Sequence, residues 1–596
     1  MDLKEAYQQR IKKFSELEAF YAGRMVKFQL LRLGVFFVAI VVFYMTFSIH
    51  DAFPIGVVLI FLITFFLVTR LDAKNTASRT HFGILKKINE EECSSLQGDF
   101  RIYKEGSQYI DAAHPYSSDL DIFGKSSLFQ FINRTTSTIG SDLLAETLKA
   151  PAPVEEIHLR QTAVSELTPM IDWRQEFQAS GQEFKDNPGE RESILNWLNE
   201  PAFFLNKKGL TTFTIFFPFI TVSLVFASFW ELPGGYAFLA ILIQGLIIYI
   251  NRRKVEESYK NISQKVELLK LYSTLIAAIE SGNFKSEKLV LIKNYFILEN
   301  VNASKHLKEL SKIVNYLDFR LNIYFWTPLN LVTFWDIHWI REMEKWKEAN
   351  KEKVLHWFNS LAEFEVLSSF ANLYFNHPGW TFPEIIETDF IIDAKEAGHP
   401  LINPKQRVTN NIQIKGKAKI MLVTGSNMAG KSTYLRTVGV NMVLAMAGAP
   451  VCATSFVLSP VKPYTSMRIT DSLEENASSF YAELKRLRDI IIAVKKEEQI
   501  FFLLDEILRG TNSNDRHIGS KALIKQMIKY NGTGIIATHD LELGKLENEL
   551  PDNIENFSFD VQIENDKLFF DYKLHKGICK SLNASVLMKK MGIEIE

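Results

Sequence analysis

The chain has 596 residues, with 68 lysines and arginines against 69 aspartates and glutamates, so its formal net charge is -1. At roughly 100–200 residues per domain this length predicts several domains, and 47% hydrophobic residues exclude disorder as the main state. The balanced charge argues against a protein built mainly to grip nucleic acid, because phosphate binding needs clustered Lys and Arg. Three distant cysteines, Cys93, Cys452 and Cys579, argue against a disulfide scaffold or a zinc site and indicate a reducing compartment.

The N-terminal part predicts a helix that leads into a membrane hairpin. Residues 1–30 are charged throughout and predict a cytoplasmic helix, without a cleavable signal peptide. Residues 31–70 contain two uncharged runs, 33–49 and 52–69, and each is close to the ~20 residues that cross a bilayer core. We therefore predict transmembrane hairpin 1 over 31–70.

A second pair of apolar runs, 209–230 and 232–250, predicts transmembrane hairpin 2 over 209–250. The alternative is that both pairs are buried helical hairpins of a large soluble domain. A buried helix seldom sustains such runs without a polar face, which favours the membrane.

The flanks of the runs predict the orientation of the hairpins. The short turns inside the two hairpins carry no Lys or Arg, whereas basic residues stand on every outer flank: Arg24, Lys27, Arg32, Arg70, Lys74, Arg79, Lys207, Lys208, Arg252, Arg253 and Lys254. By the positive-inside rule both hairpins enter and leave from the cytoplasmic side. We therefore expect an integral protein of the cytoplasmic membrane, with its N-terminus and all large segments in the cytoplasm.

The middle of the chain reads as helical. Residues 71–114 are interpreted as a linker region, and 115–208 and 251–390 carry helical patterns on either side of the second hairpin. Within them, 340–375 has alternating charges and neither Pro nor Gly, which predicts a long helix in a lever-like or coiled arrangement, continuous or broken once.

A fifth apolar stretch, 322–340, is not counted as a span because it contains Pro328, Asn330, Asp336 and His338. Its Trp and Tyr content suits a membrane interface. A packed core helix is an equal alternative.

The C-terminal part contains a phosphate-binding pattern. A short apolar strand, 418–424, leads into Gly425-Ser-Asn-Met-Ala-Gly-Lys431-Ser432 and then an apolar helix, which is GxxxxGK[ST] in its required context. The glycines let backbone N–H groups point at phosphate oxygens, Lys431 reaches the β- and γ-phosphates, and Ser432 ligates Mg²⁺. The predicted nucleotide site comprises Gly425, Ser426, Asn427, Met428, Ala429, Gly430, Lys431, Ser432 and Thr433.

Two further strand ends complete the predicted site. An apolar strand, 500–504, ends in Asp505 and Glu506; the first would hold Mg²⁺ and the second would orient or deprotonate the attacking water. A second strand, 534–537, leads to His539, which would sense the γ-phosphate. A lone histidine at a strand end is more often structural, so this role depends on the other two motifs.

These motifs resemble a known family. GSNMAGKSTYLRTVG (425–439), DEILRGTNSND (505–515) and ATHD (537–540) look like the ATPase domain of the MutS family of DNA mismatch-repair proteins, which are ABC-type ATPases. ASSFYAEL (477–484) resembles the family's signature segment, and 575–593 resembles its closing segment. Asn427 and Met428 in the phosphate loop resemble this family specifically, because ordinary P-loops do not share them. Upstream, 120–167 is similar to the start of the family's core and lever domain, and 362–376 with 398–402 is similar to its return into the ATPase domain.

The resemblance implies an α/β C-terminal P-loop (ABC-type) ATPase domain at 391–596 and an all-α MutS-like core and lever domain, here joined to two transmembrane hairpins. ATP with Mg²⁺ would lie between the P-loop of one subunit and Ser478 of the other in a head-to-tail homodimer. Asp515 would mark the loop that crosses to the partner site, and Glu506 and His539 would be catalytic.

Departures from the family pattern shape the expected function. No mismatch-reading domain is expected before residue 115, hairpin 2 stands in the region of the family's DNA clamp, and Asn476 replaces a usual glycine. The expected function is a membrane-anchored MutS-like ATPase related to mismatch repair, with double-stranded or branched DNA as a partner implied by resemblance alone. The alternatives are an ABC-type transport or membrane-remodelling ATPase and an ATP-switched membrane scaffold without DNA binding.

Overall fold

The N-terminal region is a pair of long antiparallel helices, α1 (Leu3–Thr46) and α2 (Phe53–Leu96), in the computed structural model. Arg32 pairs with Asp72 at 2.8 Å and Glu18 with Lys86 at 3.3 Å, so the two helices run side by side well past the apolar runs. The region interpreted as a linker is therefore helical through Leu96. The structure describes residues 2–46, 53–184, 189–230, 232–263, 265–298, 301–426, 429–468, 479–564 and 567–579.

Three of the described helices are long and apolar enough to cross a membrane. They are Leu3–Met45 in α1, α8 (Lys208–Ala227) and α9 (Gly235–Ser263), and between 0% and 17% of their apolar windows is buried. Large side chains such as Phe219 therefore face outward. The predicted run 52–69 opens α2 and falls partly outside the described residues.

The middle of the chain is a helical body. Its predicted lever is one unbroken helix of 42 residues, α14 (Trp335–Asn376), about 63 Å long at 1.5 Å per residue. This helix packs against helices throughout the body and buries Trp357, Phe364 and Phe370. The other body elements are α3 (Leu128–Ile132), α4 (Thr138–Lys149), α5 (Val154–Leu167), α6 (Ile171–Gln182), α7 (Glu190–Asn199), α10 (Val266–Ser281), α11 (Glu287–Phe296), β1 (Ile297–Leu298), β2 (Val301–Asn302) and α12 (Ala303–Leu317).

The stretch 322–340 forms two elements. A 3₁₀ turn, Asp318–Leu321, precedes the short helix α13 (Ile323–Thr333), and the fully buried Phe334 with φ 52° separates α13 from α14. A φ in this range breaks a helix for a residue with a side chain. The end of α13 packs against α8 and α9, whereas its beginning is exposed.

A buried ion pair fastens the N-terminal helices to the body. Arg134 Nε lies 2.5 Å from Glu92 Oε1, and the Asn372 and Asn376 amides donate to the same carboxylate at 2.9 and 2.8 Å. The Tyr7 hydroxyl donates to Asn376 Oδ1 at 2.7 Å. Burial opposes ionisation of Glu92, but the adjacent guanidinium outweighs it and lowers the carboxyl pKa. One polar network therefore joins α1, α2 and the end of α14.

The C-terminal part is a mixed α/β domain with two sheets. The smaller sheet has the order β3-β7-β4-β5, and the larger has the order β12-β11-β6-β10-β9-β8, parallel except for the antiparallel edge strand β12. The strands are β3 (Glu384–Ile385), β4 (Ile391–Ala397), β5 (Asn410–Lys415), β6 (Ile420–Gly425), β7 (Ser455–Leu458), β8 (Lys462–Ser466), β9 (Ile500–Asp505), β10 (Gly534–Thr538), β11 (Ile554–Glu564) and β12 (Lys567–Lys576). The helices are α15 (Lys431–Ala447), α16 (Ser479–Lys495), α17 (Ser513–Lys529) and α18 (Leu546–Glu549).

Candidate functional site

Three predicted motifs meet at one edge of the large sheet. Strands β6, β10 and β9 are parallel neighbours, with Thr424 opposite Thr538 and Asp505 opposite Ala537. Because the carboxyl ends of parallel neighbours lie together, residues that follow these strands converge. All three strands are fully buried, which explains their continuous apolar sequences.

Lys431 lies at the centre of this edge. Its ammonium donates to the carbonyl oxygens of Gly425 and Ser426, both at 2.9 Å, and lies 3.3 Å from His539 Nε2. Burial lowers the pKa of the ammonium. Lys431 is the first residue of α15, whose N-terminal N–H groups favour an anion.

The two glycines of the loop have geometric reasons to be glycine. Gly425 has φ 156°, and a Cβ there would lie 2.8 Å from the Phe559 carbonyl oxygen. Gly430 has φ 106°, and its Cβ would lie 3.1 Å from a ring carbon of Tyr572. Both positions therefore exclude a side chain.

Ser432 and Asp505 form the part of the site that suits a divalent cation. The Ser432 hydroxyl donates to Asp505 Oδ2 at 2.5 Å. Asp505 is buried, and its other oxygen, Oδ1, has no hydrogen-bond partner in the described structure. A hydroxyl beside a carboxylate with a free oxygen is the donor chemistry that Mg²⁺ accepts together with phosphate oxygens.

Glu506 lies between the His539 imidazole and the Arg509 guanidinium. Its Oε1 lies 2.5 Å from His539 Nε2 and its Oε2 lies 3.1 Å from Arg509 Nε. The hydrogen bond to His539, followed by the charge of Arg509, lowers the carboxyl pKa. Glu506 also has φ 51°, an uncommon backbone state that active sites retain. The carboxylate is therefore ionised at neutral pH and fit to accept a proton from water.

A second carboxylate positions the loop after Glu506. Glu483 in α16 accepts from the backbone N–H groups of Leu508, at 2.5 Å, and Arg509, at 3.2 Å. Helix α16 begins within the signature-like segment 477–484, which includes Glu483. The loop that carries the candidate base is thus connected to the segment that contains Ser478.

An open cleft of about 400 Å³ lies beside the loop. Its lining includes Lys431, Ser432, Glu506, His399, Val408 and Tyr572. Burial lowers the pKa of His399 to about 4, so this ring is neutral at physiological pH. The cleft has the size and the mixed apolar and polar lining of a nucleotide-sized site.

The structure places most of the predicted residues at this edge of the sheet, and it adds Arg509 and Tyr572 to them. Ser426, Ala429 and Thr433 belong to the described loop and the first turn of α15, whereas Asn427, Met428 and Ser478 lie outside the described residues. Asp515 lies in the exposed first turn of α17 and bonds to Asn512 at 2.7 Å. Arg509 stands within the quoted DEILRG motif, where its charge was a usable signal. Tyr572 carried no sequence signal, because β12 reaches the loop only through the strand order.

Comparison with known proteins agrees with this geometry. The family described as MutS domain V matches residues 421–591, which contain every catalytic and phosphate-loop residue named above. Residues 421–591 are thus similar to a MutS-family domain. The chain is similar to the DNA mismatch repair protein MutS of Finegoldia magna, with 29% identity over 55% of this chain and 34% of that protein. MutS of Thermotoga petrophila is 29% identical over 41% of this chain and 31% of its own length. The mouse protein described as MutS protein homolog 4 is 30% identical over 38% and 24%.

The similarity covers only part of this chain and only part of each relative. The chain spans about a third or less of the length of these curated relatives. The family match covers the C-terminal domain, and α1, α2, α8 and α9 lie outside the matched residues.

Tyr572 is expected to support nucleotide binding. Replacing Tyr572 with alanine should raise the KM for ATP about tenfold, because a base stacked on an aromatic ring contributes roughly 1–3 kcal/mol, while kcat changes little. Steady-state ATP turnover measures both constants. Tyr295 in α11 is the matched control, since both tyrosines are 43% exposed. A KM shift no larger for the first variant than for Tyr295→Ala would contradict a role for this ring.

Proposed function

We propose that the protein is a MutS-type ATPase that binds and hydrolyses ATP with Mg²⁺ in the cleft beside Lys431. The single observation that supports this most is the convergence of Lys431, Ser432, Asp505, Glu506 and His539 at the carboxyl edge of three adjacent strands. Lys431 would neutralise the β- and γ-phosphates, and Ser432 with Asp505 would hold the cation. Glu506 would activate water, and His539 would report on the γ-phosphate through its contact with Glu506.

The proposal includes an ABC-type P-loop fold and a head-to-tail homodimer through the ATPase domains. Ser478 of one subunit would reach the nucleotide of the other, and Asp515 would mark the crossing loop. The hydrogen bonds between Glu483 and the loop after Glu506 support such an arrangement. Through them, a movement of the signature segment on binding the partner's nucleotide would also move Glu506. The exposed position of Asp515 is compatible with a partner contact.

The proposal also includes two membrane hairpins, one formed by α1 and α2 and one by α8 and α9. Outward-facing phenylalanines such as Phe36, Phe66, Phe219 and Phe238 support this, since exposing so much apolar surface to water is unfavourable. The basic residues on the outer flanks would place the N-terminus and the ATPase domain in the cytoplasm.

Duplex or branched DNA is the partner class that the similarity to mismatch repair proteins suggests for this chain. Its formal net charge of -1 gives this proposal no electrostatic support, so DNA binding would depend on a local basic surface. A place in mismatch repair is proposed on the same grounds.

The test of nucleotide chemistry is ATP turnover by the full chain purified in detergent. Lys431→Ala is expected to remove nearly all turnover and to weaken ATP binding, because the Lys431 ammonium lies directly against the Gly425 and Ser426 carbonyl oxygens of the loop. Lys496→Ala, at an exposed lysine beyond α16, serves as the control and should retain wild-type turnover. Wild-type protein without turnover but with ATP binding would favour the membrane scaffold switched by ATP.

The test of the DNA proposal repeats the assay with duplex DNA, branched DNA and no DNA at low salt. DNA-dependent turnover together with salt-sensitive binding would support the proposal. Absence of binding even at low salt would remove DNA from the function, and ATP turnover without it would then favour a transport or remodelling ATPase.

A further inference from the structure

The 3₁₀ turn and α13 run along α9 in the opposite direction. The Tyr259 hydroxyl of α9 donates to Asp318 Oδ1 at 2.8 Å, and the Gln244 amide of α9 donates to the Val332 carbonyl oxygen at 3.3 Å. Between Tyr259 and Gln244, α9 rises about 22 Å. Residues 318–332 therefore follow α9 from its charged end into the middle of its apolar run.

The chain then turns back at that depth. Phe334 adopts its left-handed backbone state there, fully buried, and its N–H still donates to the Asn330 carbonyl oxygen at 3.0 Å. The Asp336 N–H donates to Asn330 Oδ1 at 3.1 Å, and Trp326 Nε1 donates to Asp336 Oδ1 at 3.0 Å. Polar groups at the turn are thus paired inside protein, which is the condition for irregular backbone at membrane depth.

The start of this element carries an exposed apolar surface, which we call the aromatic rim. It consists of Leu321, Ile323, Tyr324 and Phe325, which are 77%, 62%, 89% and 75% exposed. Four large apolar side chains this exposed indicate a surface that is covered by something other than water. Given the two contacts with α9, the rim lies near the level of Arg252, Arg253 and Lys254.

We propose that residues 318–333 form a re-entrant membrane element beside α8 and α9, with the aromatic rim in the lipid headgroup region of the cytoplasmic leaflet. The inference rests on the proposed membrane anchoring and extends it to an element too short to span. Tyr249 and Ile250 of α9, which directly precede the basic residues at 252–254, are also exposed, and aromatic residues beside a basic collar are typical of membrane interfaces. These features assign a lipid surface, and not a protein partner, to the rim.

The proposal has a consequence for the lever. Helix α14 begins directly after the turn at Phe334, and its other end holds Asn372 and Asn376 against Glu92. The first residues of α14 would thus be anchored in the bilayer by the re-entrant element. Its last residues are bound to the N-terminal helices, directly before the chain enters the C-terminal domain.

The test is depth-dependent fluorescence quenching in vesicles of phosphatidylethanolamine and phosphatidylglycerol. The full chain carries Cys93→Ser, because Cys452 and Cys579 are buried, and one added cysteine labelled with an environment-sensitive dye. Tyr324→Cys and Phe325→Cys probe the rim, Phe219→Cys probes α8, and Ile518→Cys in α17 is the aqueous control. Nitroxide lipids carry the quencher either near the headgroup or deep in the chain region.

We expect both rim probes to lose fluorescence with the shallow quencher, the Phe219 probe with the deep quencher, and the Ile518 probe with neither. Quenching at Phe219 without quenching at either rim position would overturn the re-entrant element and leave the anchoring intact. Absence of quenching at all of these sites would overturn the anchoring itself. Rim probes shielded from lipid by a second copy or another protein would give the first of these results.

Discussion

Glutamine in place of Glu506 is expected to reduce ATP turnover by about 10²–10⁴-fold, the usual contribution of a positioned general base. The amide keeps the shape of the side chain and still accepts a hydrogen bond from His539, but it cannot take a proton from water. Because ATP binding depends on the loop and Lys431, the variant should still bind ATP, and dimers held together by bound nucleotide should accumulate. Steady-state turnover and gel filtration in detergent with ATP measure the two effects.

The control for this variant is Glu542→Gln, which alters an exposed carboxylate paired with Lys545 at the same sheet edge. Turnover by this control should match the wild type. The lowered pKa of Glu506 also means that protonation of this base can limit turnover only below its ordinary value of 4.5. Wild-type turnover in Glu506→Gln would show that another group activates the water.

Glu92→Gln is expected to weaken the attachment of α1 and α2 to the body by about 3–5 kcal/mol, the cost of removing one partner from a buried ion pair. Arg134 would remain buried without a counter-charge, and the amide could not accept as many hydrogen bonds from Arg134, Asn372 and Asn376 as the carboxylate does. Hydrogen exchange over the second half of α2 should therefore accelerate on the order of 10²-fold or more.

The matched control is Glu348→Gln on the exposed face of α14, where the carboxylate pairs with Lys351 at 3.2 Å. Exposed pairs contribute little to stability, so exchange there should hardly change. An acceleration in Glu92→Gln no larger than in this control would mean that the apolar contacts between α1, α2 and the body suffice to hold them.

Local sequence patterns alone determined the main elements of the candidate site. The phosphate loop, the Asp505–Glu506 pair and His539 each follow a short buried strand, and such a strand is recognisable from its continuous apolar residues. The apolar runs in α1, α8 and α9 and the unbroken pattern of α14 were readable for the same reason. Each of these signals lies within one segment, where period and composition reflect the local environment.

The tertiary structure alone decided which distant segments meet. Tyr572 reaches the loop because β12 lies at the edge of the large sheet, and Glu92 finds Arg134 because α2 continues through the supposed linker. The division of 322–340 at Phe334 depends on contacts with α8, α9 and Tyr259. A sequence pattern shows that a side chain needs a buried or paired environment, but the partner is chosen by packing between segments far apart in the chain, and this packing is a property of the whole fold.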